Sequence, residues 1–149
     1  MPGRFGRVLT AMATPFSPDG NLDVPGAQRL ARHLLDSGTD TLVVAGTTGE
    51  SPTLTAEEKF RLWAAVVEVA GGDRVMAGTS TYSTAESVEL TQLAEKAGAG
   101  SLLLVTPYYS RPPQSGLVAH FSAIASSTGL PCMLYNIPGR TACTIEVPT

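Results

Sequence analysis

The sequence predicts an α/β fold built on a parallel sheet, and three observations carry that expectation. Five nearly all-apolar runs recur, four amphipathic helical patterns alternate with them, and the polar chemistry falls on one side of the alternation. Strands that are apolar throughout are buried on both faces, as in parallel sheets covered by helices.

Taken in order, the first run spans Arg7 to Ala13. Ala27, Leu30, Ala31, Leu34 and Leu35 follow the i, i+3, i+4 rule of a helix with one apolar face. The run Thr41 to Ala45 comes next, then a helix through Phe60, Trp63, Ala64 and Val67, in which Trp63 is expected as packing rather than as a ligand platform. Val75 to Gly78 is the third strand, and Leu90, Leu93, Ala94 and Ala97 mark the third helix. Ser101 to Thr106, then Leu117, Phe121, Ile124 and Ala125, then Pro131 to Ile137 complete the series. Thr55-Ala-Glu-Glu58 and Ser83-Thr-Ala-Glu86 read as capping boxes, in which hydroxyl and carboxylate satisfy each other's free N–H groups. Gly38, Gly71, Gly98 and Gly129 suit the left-handed residue that ends a helix.

Composition bounds the function. With 43% hydrophobic residues, 15% charged residues and a net charge of −3, the chain reads as soluble and globular, neither basic enough for nucleic acid nor biased enough for disorder. The N-terminus lacks the apolar stretch of a signal peptide and nothing approaches a membrane span, so a cytoplasmic protein is expected. Cys132 and Cys143 form no C-x-x-C pattern and read as a strand and a loop residue. His33 and His120 lie within helical patterns without a second ligand at metal spacing, and are expected as satisfied or solvated histidines. No linker appears, so residues 1–149 are expected to belong to one domain.

The two ends of the strands differ. Loops entering them are short and plain, such as Ser37-Gly-Thr-Asp40 and Ala70-Gly-Gly-Asp73. Loops leaving them carry Thr14-Pro-Phe16, Gly46-Thr-Thr-Gly-Glu50, Gly78-Thr-Ser-Thr-Tyr82, Thr106-Pro-Tyr-Tyr-Ser-Arg-Pro-Pro113 and Tyr135-Asn-Ile-Pro-Gly-Arg140. The carboxyl ends of parallel strands are where α/β folds place active sites. Two architectures fit: a five-stranded doubly wound sheet, or the front of a (β/α)8 barrel, which typically needs about 250 residues. A receiver-type sheet needs acidic residues where Ala13-Thr14-Pro15 stands, and a dinucleotide fold needs G-x-G-x-x-G at its first turn. Neither is present, whereas a polar contribution from every strand end is what a barrel centre uses. The expectation is therefore a (β/α)8 barrel of which this chain supplies about the first five strands and four helices.

In Gly46-Thr-Thr-Gly-Glu50 a buried strand ends in two hydroxyls between glycines, which offers backbone N–H groups and side-chain donors to an anion. A strand-end Tyr135 is placed to shuttle a proton, and Arg140 to fork onto a carboxylate, although singly Arg140 reads as a surface charge and Tyr108 and Tyr109 as interface packing. Together, Gly46-Thr-Thr-Gly-Glu-Ser51, Val105-Thr-Pro-Tyr-Tyr109 and Tyr135-Asn-Ile-Pro-Gly-Arg140 resemble the 4-hydroxy-tetrahydrodipicolinate synthase (dihydrodipicolinate synthase) family of pyruvate-dependent class I aldolases. The resemblance runs from about Arg7 to Thr149 and matches the front of that family's barrel. Sialic acid lyases and keto-deoxy sugar acid aldolases share the fold, and a noncatalytic half-barrel is a third alternative; Arg140 favours the synthase.

The resemblance implies roles. Thr48, with the backbone N–H groups beside it at Gly49, would hold the pyruvate carboxylate. Thr47, Tyr109 and Tyr135 would form a proton relay, Tyr135 as acid/base and Tyr109 reaching into a neighbouring subunit's site. Arg140 would bind the carboxylate of aspartate semialdehyde. Pyruvate would form a Schiff base with a lysine, with no cofactor implied, in a homo-oligomer. The chain's lysines, Lys59 and Lys96, both sit on helix patterns. The family's Schiff-base lysine lies on a sixth strand, beyond Thr149, so the 149 residues alone are expected to be inactive. Lysine-inhibited members of the family bind that end product at a dimer interface. This chain has Ala56 and Lys59 where they carry His and Tyr82 where they carry Asn, while Ser51, Glu86 and Tyr108 match. Insensitivity to L-lysine is implied.

Overall fold

The computed structural model describes residues 4–149. Strands β1 (Leu9–Ala11), β2 (Thr41–Val44), β3 (Val75–Gly78), β4 (Ser101–Val105) and β5 (Cys132–Tyr135) alternate with helices α1 (Val24–Asp36), α2 (Ala56–Ala70), α3 (Thr84–Lys96) and α4 (Gln114–Ala125). A one-turn helix, α5 (Pro138–Thr141), and two 3-10 turns, Ser51–Thr53 and Gly72–Arg74, were not legible in the periodicity. Each is shorter than the window in which a helical repeat can be seen. The strands are also shorter than the apolar runs: the first is Leu9–Ala11 rather than Arg7 to Ala13, and the last Cys132–Tyr135 rather than Pro131 to Ile137.

All strands are parallel and lie in the order β1-β2-β3-β4-β5. A doubly wound sheet reverses its order at a switch point, as in 2-1-3-4-5. An order without reversal, combined with right-handed crossovers, puts every helix on one face, which is the arc of a barrel.

Side chains alternate across that arc. Leu102 and Leu104 join Trp63, Leu62, Val66, Leu90, Leu117 and Ile124 in the core under the helices, while Leu103 and Val105 face the concave side and line a cavity there. Trp63 is fully buried and its indole N–H donates to the Val44 carbonyl at 3.3 Å, so it is a packing residue. Leu134 pairs with Leu104 and shares its outer face, yet is 46% exposed because no helix among the described residues covers that edge.

The capping signals divide. At Thr55 the box is complete: the Thr55 hydroxyl accepts from the Glu58 N–H and the Glu58 carboxylate accepts from the Thr55 N–H. At Ser83 only half forms. The Ser83 hydroxyl accepts from the Glu86 N–H, but the Glu86 carboxylate accepts from the Thr81 hydroxyl at 2.8 Å, and it is the Thr81 oxygen that caps the Ser83 N–H. Gly38, Gly71 and Gly98 have positive φ as expected, whereas Gly129 does not. Helix α4 has already stopped at Ala125, where the Ser127 hydroxyl donates to the Ile124 carbonyl. Cys132 and Cys143 are free, as expected of a strand and a loop residue.

Candidate active site

At the carboxyl ends of the strands a cavity of about 250 Å³ opens on the concave face. Its walls include Thr47, Ser80, Tyr108, Tyr135 and Arg140, and its floor Leu103 and Val105. Three of the expected residues, Thr47, Tyr135 and Arg140, thus share one cavity although nearly a hundred positions of chain separate the first from the last. Parallel pairing accounts for this: β2 and β5 deliver their ends to the same rim, and Tyr135 stands opposite Val105 in register.

The loop after β2 is built by its neighbours. Ala45 leaves the strand at φ 56 and Glu50 follows at φ 57, both left-handed, and the Glu50 N–H donates back to the Thr47 carbonyl at 3.1 Å. The buried Thr14 hydroxyl, from the end of the β1 segment, donates to the Gly49 carbonyl at 2.6 Å. The two glycines have different reasons to be there. A Cβ on Gly49 would stand 3.1 Å from both the Met12 carbonyl and the Thr14 hydroxyl, a tight approach that any side chain there would have to widen by a few tenths of an ångström; a Cβ on Gly46 would meet only ordinary contacts. Thr48 is exposed and, like Gly49, lies beside the cavity without lining it.

The two tyrosines after β4 part company. Tyr108 turns in to line the cavity and packs edge-to-face on Tyr82, ring centroids 5.4 Å apart. Burial and the Glu86 carboxylate raise its phenol above the ordinary range. Tyr109 points out, 95% exposed at φ 69, and does not join the cavity. Ser80 and Tyr108 line the cavity although pattern reading left the first out and set the second down as packing. Tyr108 had a signal, its place in the Val105-Thr-Pro-Tyr-Tyr109 motif; Ser80 had only its position two residues past a strand end.

Neither lysine reaches the cavity. Lys96 borders a separate groove between α2 and α3. Lys59, read as one residue of an amphipathic pattern, is in fact only 4% exposed; burial lowers its pKa and the Glu86 carboxylate partly offsets this. Among the described residues no cluster of three or more His, Cys, Asp or Glu is placed to hold a metal ion, and no helix is long and apolar enough to cross a membrane.

The comparisons with known proteins agree with this geometry. The model of the dihydrodipicolinate synthetase family matches residues 4–149. The chain is 61% identical over 150 residues to the 4-hydroxy-tetrahydrodipicolinate synthase of Acidothermus cellulolyticus, covering 99% of itself and 48% of that protein. It is 60% identical to a second such synthase from Streptomyces coelicolor, of which it covers 49%. Among solved structures it superposes on dihydrodipicolinate synthase DapA-2 of Bacillus anthracis with a TM-score of 0.95 at 48% identity, covering 99% of this chain and 51% of that one. It matches the lysine-bound synthase of Cyanidioschyzon merolae with a TM-score of 0.92 at 47% identity, over 95% of this chain and 49% of that one. The chain therefore spans about half the length of these relatives, as five strands and four helices of their (β/α)8 barrel. With a matched region running through all the described residues and a cavity at the strand ends where the motifs meet, the chain belongs to the dihydrodipicolinate synthetase family.

Proposed function

We propose that the full-length protein carrying this chain condenses pyruvate with L-aspartate 4-semialdehyde through a lysine Schiff base, giving 4-hydroxy-tetrahydrodipicolinate for lysine and diaminopimelate biosynthesis. The observation that carries this reading is the meeting of Thr47, Tyr135 and Arg140 in one cavity at the carboxyl ends of β2 and β5. Thr48 and the Gly49 N–H hold the pyruvate carboxylate. The lysine amine, on a strand that follows Thr149, attacks the ketone and the carbinolamine loses water to form the imine; loss of a methyl proton gives the enamine that attacks the aldehyde. The amine of the semialdehyde then attacks the imine carbon, closing the ring and releasing the lysine. Covalent catalysis of this kind splits a difficult carbon–carbon step into easier ones.

Tyr135 gives and takes the protons, linked through the Thr47 hydroxyl to Tyr109. Because Tyr109 points away from its own cavity, its phenol serves a neighbouring subunit of a homo-oligomer, and the reading places that enzyme in the cytoplasm. Arg140 forks onto the carboxylate of the semialdehyde. The L-lysine insensitivity of the enzyme follows from Ala56, Lys59 and Tyr82 at the interface, where a buried cation would meet the ligand's ammonium groups; L-lysine titrated into the steady-state assay leaves the rate unchanged.

Borohydride reduction in the presence of pyruvate, read by intact mass, tests the central step. The full-length protein gains one reduced pyruvate on a lysine beyond Thr149, and residues 1–149 alone gain none. An adduct on Lys59 or Lys96 sinks the assignment of the nucleophile, and a protein that accepts sugar-acid aldehydes instead of aspartate semialdehyde belongs with the related aldolases.

A further inference from the structure

Past the last paired residues of β3 and β4, Gly78 and Leu103, the two strands come apart. The next backbone bond, Thr79 N–H to the Leu103 carbonyl, is stretched to 3.4 Å. Two residues on, a side chain takes over: the Ser80 hydroxyl donates to the Val105 carbonyl at 2.7 Å. Ser80 is in turn 3.3 Å from Nε2 of His120 on α4, and Nδ1 of the same ring is 2.8 Å from the hydroxyl of Thr84, the first residue of α3.

The direction of this chain follows from counting protons. A serine hydroxyl has one, and the shorter contact, to Val105, holds it. Toward the ring the Ser80 oxygen must therefore accept, so Nε2 carries the imidazole proton. His120 is buried, edge-on to Phe121 at 5.3 Å, and burial lowers its pKa toward the neutral form. A neutral ring protonated on Nε2 has a bare Nδ1, which accepts from the Thr84 hydroxyl. The chain thus runs one way, Thr84 to His120 to Ser80 to the Val105 carbonyl.

We propose that His120 is a positioning residue for the reaction: held as the Nε2–H tautomer, it fixes Ser80 so that the end of β4 is stitched to β3 at the cavity floor. Val105 stands between Ser80 on one side and Tyr135 on the other, with which it pairs in register, so the stitch sets where the Tyr135 strand end stands relative to Thr47. This rests on the acid/base role proposed for Tyr135, because a displacement on the order of 1 Å of such a group lowers the rate steeply.

Nitrogen-15 spectra of the imidazole in the full-length wild-type protein show a protonated Nε2 and a bare Nδ1 at neutral pH; the opposite tautomer, or an imidazolium, overturns the chain whatever the activity. In kinetics, His120→Phe, which keeps a ring but has no donor, and Ser80→Ala each lower kcat about tenfold, with KM for pyruvate changed by less than about twofold. His120→Gln, whose amide places a donor near Nε2, recovers most of that loss. The double variant His120→Phe, Ser80→Ala is no slower than either single one, because both break the same stitch. Additive losses, or full kcat in both single variants, overturn the positioning role. Should His120→Phe fail to fold, Ser80→Ala against His120→Gln and the nitrogen spectrum decide. A correct tautomer in a wild-type protein that cannot condense the two substrates overturns the proposed function instead.

Discussion

The two rims of the sheet solve the same problem, turning the chain between a strand and a helix, with opposite chemistry. At the amino-terminal rim the helix-to-strand turns use Gly38, Gly71 and Gly98 at φ 100, 79 and 90, where a residue without Cβ has no strain. Hydrogen bonds tie that rim down: the Asp40 carboxylate accepts from the Arg7 and Val8 N–H groups at 2.7 and 3.0 Å, and the Arg74 guanidinium donates to the Thr39 and Asp40 carbonyls. At the carboxyl rim Gly20 is, among the described residues, the one glycine at such a position, and the other left-handed positions are held by Ala45, Glu50, Tyr109, Arg111 and Ala142. An L-residue there costs roughly 1–2 kcal/mol. Strain of that kind persists only where surrounding structure imposes it, and it gathers at functional sites. The lesson is that one rim is relaxed for stability and the other held under strain around a cavity.

The sharpest way to break this comparison is Tyr135→Phe in the full-length protein. It slows turnover by roughly 10²-fold or more while leaving the fold intact, the scale expected for a positioned proton donor. Steady-state kinetics with a circular-dichroism control check it, and wild-type turnover would reduce Tyr135 to an aromatic wall of the cavity. Next in size, Arg140→Ala weakens use of aspartate semialdehyde by about 2 kcal/mol, more than it weakens pyruvate binding. Equal losses for both substrates would remove Arg140 from the site.

A paired substitution tests the strain itself. Gly38→Ala destabilises by roughly 1 kcal/mol, since its φ of 100 suits no L-residue although the space is open. Glu50→Gly goes the other way, gaining roughly 0.5–1 kcal/mol once the added freedom of glycine in the unfolded chain is set against the relieved strain. It also raises KM for pyruvate by loosening the loop. Denaturant unfolding reads the first two effects, and a Glu50→Gly protein less stable than wild type would show that the left-handed turn carries no strain.

The smallest effect lies at the relaxed rim. Bonds from the Arg7 and Val8 N–H groups hold the Asp40 carboxyl below its ordinary range. A depressed carboxylate contributes stability above the unfolded pKa of about 3.9 and loses it as pH falls through the folded value. The stability difference between wild type and Asp40→Asn is therefore constant from neutral pH to about pH 5 and shrinks on further acidification. A difference that does not move down to pH 2 would remove Asp40 from the clasp.

Reading along the chain went furthest where the signal is local. Thr55 and Glu58 cap each other as their spacing foretells, and Trp63 falls on the buried stripe of α2. The same spacing at Ser83 and Glu86 misled by half, because Thr81 competes for the carboxylate, and nothing in a four-residue pattern sees that competitor. Tyr108 and Tyr109 are adjacent in sequence and end in opposite environments, since a left-handed backbone at Tyr109 turns one ring in and the other out.

Local sequence was enough to locate the strands, the long helices and the rim that carries the polar loops, because continuous apolar runs, a period of about 3.6 residues and the polarity of short loops are written within a few positions. The strand order without reversal agrees with the barrel expected from the loops, but that Thr47, Tyr135 and Arg140 share a cavity and that His120 reaches Ser80 across forty residues was settled only in three dimensions. These are pairings between distant segments, settled when all the helices pack on one face and bend the sheet into an arc.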